Sequence, residues 1–82
     1  MATITGTITQ NGEVVGAGWT LVHGDSGDGI KTTDSNGQFT WDDVANNFKA
    51  VLTYVILDAS GTAKTGGAGR LIVAGGSHTF EA

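Results

Sequence analysis

Few side chains in this sequence have the chemistry for a reaction, and their spacing limits what each could do. Asp25 and Asp28 flank Ser26 in the glycine-rich stretch Gly24 to Gly29. Hard cations such as Ca²⁺ collect several oxygen ligands from loops of this kind. The nearby Asp34-Ser35-Asn36-Gly37 lacks the upstream acid of a calcium loop, because Thr32 holds that place. Solvated turn carboxylates are the better reading of these acids. His23 and His78 could meet in the fold, but zinc would need further ligands and catalysis a nucleophile with an oriented base. Neither is indicated. Asp42 and Asp43 are candidates for paired acid–base work. Neighbours on an extended segment point to opposite faces, so they are not expected to share a substrate. A helix-start or turn role is the stronger expectation. Gly66-Gly67-Ala68-Gly69-Arg70 has the glycine density of a phosphate loop but lacks the Lys-Ser/Thr pair, and Ile72 stands where a dinucleotide fingerprint needs glycine. The expectation is a chain that is not an enzyme and holds no catalytic set, cofactor or metal.

Two residues remain as candidates for contact with a partner. Ala63 to Gly69 reads as a mobile loop, and a loop that orders on a partner would use Arg70 as its anchor. Among the aromatics Trp19, Phe39, Trp41, Phe48 and Tyr54, the expectation is that Trp19 and Phe39 fill the core, since a small domain needs its large side chains there. Trp41, at a strand end, is the one aromatic allowed a surface role, including a sugar-binding platform formed with the Gly24 to Gly29 loop.

Elements must position these residues, and the sequence writes them as strands. Its 82 residues make a single domain, residues 1–82, of net charge −4. The absence of cysteine excludes disulfides and thiolate metal sites, leaving oligomerisation or docking as routes to extra stability. Lys31, Lys49, Lys64 and Arg70 are scattered, so neither nucleic acid nor an anionic membrane surface is an expected partner. No signal peptide and no apolar run long enough to span a bilayer is read. Fourteen glycines interrupt every helical period, and Asp42 to Asn47 could form at most one helical turn. Thr, Val and Ile dominate the rest, as strands prefer.

Seven short strands are expected: Thr3 to Gln10, Trp19 to His23, Ile30 to Thr33, Gln38 to Trp41, Phe48 to Leu57, Arg70 to Ala74 and His78 to Glu81. Glu13 to Val15 reads as a short extended piece after the Asn11-Gly12 tight turn. Ile4, Gly6 and Ile8 share one face of the first strand and its threonines the other. Trp19, Leu21 and His23 share a face of the second. Thr33-Asp34-Ser35-Asn36-Gly37-Gln38-Phe39-Thr40-Trp41 is a corner followed by a strand with both aromatics on one side. Phe48 to Leu57 carries apolar residues on both parities, as a central strand covered on both sides or one interrupted by a bulge would. The last two strands are expected to pair across Gly75-Gly76-Ser77. Such punctuation points to an all-β sandwich or barrel.

Ile4-Thr5-Gly6-Thr7-Ile8-Thr9, Val15-Gly16-Ala17-Gly18-Trp19-Thr20-Leu21 and the Thr33 to Trp41 corner together resemble the carboxypeptidase regulatory-like, or transthyretin-like, β-sandwich domains. The resemblance covers about the first 48 residues. It departs where the family usually has a proline near Val15, a β-branched residue at Trp19 and a Gly-Tyr at Asn47-Phe48. It implies a small antiparallel seven-stranded Ig-like sandwich and a non-enzymatic module. A freestanding, acidic, cysteine-free copy is similar to bacteriophage capsid decoration proteins. That similarity implies a major capsid protein or other large assembly as partner, a homo-oligomer as a further option, and a place on the virion surface after assembly in the host cytoplasm. A cytoplasmic protein, and a carbohydrate-binding or adhesion module, are the alternatives.

Overall fold

The computed structural model describes residues 1–23 and 29–82. Among these residues the fold is all-β, with eight strands: β1 (Ala2–Gln10), β2 (Glu13–Val14), β3 (Thr20–His23), β4 (Ile30–Thr32), β5 (Gln38–Val44), β6 (Lys49–Leu57), β7 (Ala63–Val73) and β8 (Ser77–Glu81). They form two four-stranded sheets, one of β2, β1, β5 and β8 and one in the order β4-β3-β6-β7. The eighth strand is the expected short extended piece. Asn11 (φ 54°) and Gly12 (φ 81°) turn the chain back so that Glu13 and Val14 pair with Gln10 and Thr9. β1 is the central strand of its sheet. β2 and β5 follow one another along one edge, where Ile8 donates to the Gly37 carbonyl and accepts from the Val15 N–H. β8 lies along the other edge.

Period-two alternation builds the core. Ile4, Ile8, Leu21, Phe39, Tyr54, Ile56, Ile72 and Phe80 from the facing sheets meet there with Val15. Gly6 lies among them for a steric reason: a Cβ on it would collide with the Phe39 ring of the paired strand. The corner before Phe39 follows the expected chemistry. The Asp34 carboxylate accepts from the Asn36 and Gln38 N–H groups at 2.8 and 3.1 Å. Gly37 takes φ 71°, and a Cβ there would stand 2.5 Å from the Val15 carbonyl oxygen. The β6–β7 turn repeats the device. Asp58 accepts from Ser60 and Thr62 at 2.8 and 2.9 Å, with Gly61 at φ 84°.

Three expectations are corrected. Ala63 to Gly69 is not a loop but the first half of β7, paired with β6. Its glycines serve a bulge: Gly66 and Gly67 (φ 73°) lie between the pairs Tyr54↔Ala68 and Ile56↔Thr65, opposite Val55 alone. β7 and β8 do not form a hairpin. The Gly75 turn crosses between sheets, so β7 pairs with β6 and β8 runs parallel to β1. The helical-turn option at Asp42 fails because β5 continues to Val44.

β6 is central, yet no described element covers its outer face. The bulge lies on β7, and Val51 and Val55 simply face outward. The two outer faces therefore differ. Around β1, Thr5 pairs with Thr40 and Ser77, Thr7 with Gln38 and Thr79, and Thr9 with Glu81. Across the other sheet, Val22 pairs with Ile30 and Val55, Val51 with Leu71, and Lys49 with Val73. Among the described residues, no helix is long and apolar enough to cross a membrane.

Candidate functional site

The site is built where β5 leaves β1. Ile4 pairs with Trp41 and Ala2 with Val44, so Asp42 and Asp43 together oppose Thr3 alone. One residue too many on β5 is a bulge, and Asp43 absorbs it at φ 56°. Asp tolerates this left-handed region better than most side chains do. A bulge breaks the alternation that sends neighbours to opposite faces. Asp42 and Asp43 accordingly line one cleft, which corrects the expectation that they could not act together.

The cleft has a volume of about 400 Å³ and opens between the sheets at this end of the sandwich. Ile4, Leu52 and Ile72 line it from the core, with Val44 from the end of β5 and Ala45 and Phe48 from the connection to β6. Trp41 and His23 belong to opposite sheets and join across it. The indole Nε1–H donates to His23 Nε2 at 3.0 Å, and the two rings stand edge to face, 5.2 Å apart at 80°. An indole N–H can only donate, so Nε2 carries no proton and the imidazole is neutral with its proton on Nδ1. Burial, and then the charge of Lys31, push the His23 pKa below its ordinary 6.5, in the same direction. No lysine or arginine stands within ion-pair distance of Asp42 or Asp43; among the described residues the ion pair formed is Lys64 with Asp58.

Trp41 is half-buried. It meets Phe39 edge-on at 5.0 Å and Phe80 at 6.3 Å, so it is a cleft wall continuous with the aromatic core rather than a flat exposed platform. Trp19 is partly buried against that core, whereas Phe39 and Tyr54 are buried in it. Phe80, absent from the sequence-level candidates, is the centre of the cluster: fully buried, 5.9 Å from Phe39 and 5.0 Å from Tyr54. Its signal was the alternation His78-x-Phe80 in the last strand.

The structure does not bring the other candidates together. His78 Nε2 accepts from the Val73 N–H at 3.2 Å, with no contact to His23. Arg70 lies on β7, on the parity of Ile72, exposed at the open edge, with its guanidinium carbon 5.9 Å from the Phe80 ring centre. That places a cation over an aromatic face. Arg70 and Trp41 thus share Phe80 as a neighbour but not a site. Asp25 and Asp28, and the loop that a glycan platform would use, lie outside the described residues. No group of three His, Cys, Asp or Glu side chains is poised to hold a metal among the described residues. Comparison with protein-family models finds no match for this chain, and comparison with curated proteins finds none either.

Proposed function

We propose that this protein is a non-enzymatic interaction domain that docks on a large protein assembly through the outer face of the β4-β3-β6-β7 sheet. A bacteriophage capsid is the assembly that the resemblance to decoration proteins singles out. The observation that carries the reading is the contrast between the two outer faces. One is threonine, serine and glutamine, suited to water. The other exposes Val51 (70%), Leu71 (50%) and Val73 (36%) on the adjoining β6 and β7, and Ile30 (62%) on β4. Contiguous apolar surface on a small domain marks a binding face. Lys49, paired with Val73 on the same face, supplies part of a polar rim. On this reading the protein acts on the virion surface.

The test is co-sedimentation with expanded capsids. The wild-type protein should saturate them at a copy number set by capsid symmetry. Val51→Lys and Leu71→Lys should each weaken binding by at least about tenfold, the loss expected of a truncated interface anchor, while leaving the circular dichroism spectrum unchanged. Lack of co-sedimentation with any virion or large assembly would remove the reading. The alternative, a carbohydrate-binding or adhesion module, rests on Trp41. Its indole N–H is already used by His23, and it is half-buried inside the cleft rather than standing on the open surface where an extended glycan would stack. Silence on a glycan array would dispose of it.

A further inference from the structure

The structure assigns the Trp41 cleft as a binding site for a small organic cation, an ammonium group carried on an apolar body about one ring in size. Three independent features of the cleft converge on this ligand class. The first is its volume, about 400 Å³. Small-molecule sites start at roughly 300 Å³, so this space encloses a small molecule and not a folded partner. A domain this small gains nothing in stability from leaving such a space unfilled, because unfilled volume beside the core forfeits packing. Bulging β5 at Asp43, a non-glycine residue at φ 56°, adds to that cost.

The second feature is the lining. Its deep surface is aliphatic, from Ile4, Leu52 and Ile72, and Trp41 and Phe48 contribute aromatic surface. Phe48 is 36% exposed at the mouth, where a large apolar side chain gains little unless something packs on it. Such a lining accepts an apolar body and offers ring faces to a cation. The third feature is the sign of its charge. The formal charges of the lining are the carboxylates of Asp42 and Asp43, which form no ion pair with any of the chain's lysines or its arginine. His23 contributes a neutral ring whose Nε2 is occupied by Trp41. An anion would meet two like charges and find no cationic partner there. A sugar would find few hydrogen-bonding groups for its many hydroxyls. An ammonium on an apolar body satisfies both the wall and the rim. This assignment is independent of the docking reading, because the cleft opens between the sheets and the docking face is the opposite side of one of them.

The experiment is a ¹⁵N–¹H NMR titration of the full chain with 2-phenylethylammonium, with neutral 2-phenylethanol and with anionic 3-phenylpropionate. The amine is expected to shift the Trp41 indole Nε1–H and the amides of residues 42–48 in a saturable way. It should bind about tenfold more tightly than the alcohol, as contacts with two carboxylates allow, and the carboxylate should not bind. Replacing both acids, Asp42→Asn with Asp43→Asn, keeps a residue that tolerates the left-handed backbone and should bring amine binding down to that of the alcohol. Ala45→Trp, which fills the cleft and keeps both charges, should abolish binding of both. The assignment is overturned by absence of saturable shifts, by equal affinity for amine, alcohol and carboxylate, by shifts that map away from the cleft, or by unchanged amine affinity in either variant. It is also overturned if an acetyl-Val-Lys-Val-amide peptide binds where the free amine does not, since the cleft would then serve a partner's lysine.

Discussion

At the scale of single residues, the least replaceable positions are those where two chains of atoms compete for one space. Gly6 is one: the Phe39 ring lies where its Cβ would be. Gly6→Ala should destabilise the domain by about 1–3 kcal/mol, the usual result of overpacking, as read by urea denaturation. Phe39→Leu in the same molecule should recover part of that loss, because the smaller side chain vacates the space. His23 makes a second prediction. Its pKa is lowered in the folded protein, by burial first and Lys31 second. The unfolded chain therefore binds the proton more readily, and the neutral ring's contribution is complete above pH 6.5, the ordinary value, and lost as pH falls from there through the folded pKa. Thermal melts from pH 8 downward should show this first decline, and His23→Gln should remove it. A separate decline should follow at lower pH. Hydrogen bonds, from the Thr9 hydroxyl for Glu81 and from the Thr62 N–H for Asp58, hold these carboxyls below their ordinary 4.5 and 3.8. Their contributions are present above those values and fade as the pH drops through the folded pKa values.

At the scale of elements, β7 shows how a partner overrides composition. A run with Gly66, Gly67 and Gly69 has the punctuation of a loop, yet β6 holds it as a strand and the glycines only shape its bulge. Its outer edge is unpaired among the described residues, which makes a hydrogen-exchange test specific. Ala74 donates to the Phe48 carbonyl at 3.0 Å, so the same parity, Ile72 and Arg70, turns its N–H groups toward β6. Those amides should be protected, while Gly69 and Leu71, on the other parity, should exchange quickly. Fast exchange at all four would restore the loop. The closing strand is held differently. Glu81 on β8 accepts from the Thr9 hydroxyl of β1 and, at 3.1 Å, from the Gly12 N–H of the β1–β2 turn. Removing that carboxylate should loosen the turn and the C-terminal strand together.

At the scale of the whole molecule, two properties depend on how the sheets are placed. One is the difference between a threonine face and an aliphatic face, which supports docking by the second. The other is the cleft, which exists because β5 bulges at one end of the sandwich and the connection to Phe48 stands off from Leu52 and Ile72. The Val51→Lys and Leu71→Lys variants test the first property. The amine titration tests the second, and neither outcome bears on the other.

Much of this was legible locally. The alternation in Thr3 to Gln10 named the buried face of β1, and the Asp34 corner announced its own hydrogen bonds, because steric period and turn chemistry act within a few residues. The all-β character follows from the same short-range preferences. Other features were decided by tertiary structure. β8 runs parallel to β1 because its partner is chosen across the sandwich, and no local signal distinguishes that from a hairpin with β7. Val51 and Val55 gave the same apolar reading whether their face is covered or bare; only the arrangement of the sheets leaves it bare. Asp42 and Asp43 share a cleft because one unmatched residue in the β1–β5 register reverses the expected alternation. Local sterics act through neighbours in the chain, whereas register, partner and packing are settled by groups far apart in sequence, and the cleft and the exposed aliphatic face belong to that second kind.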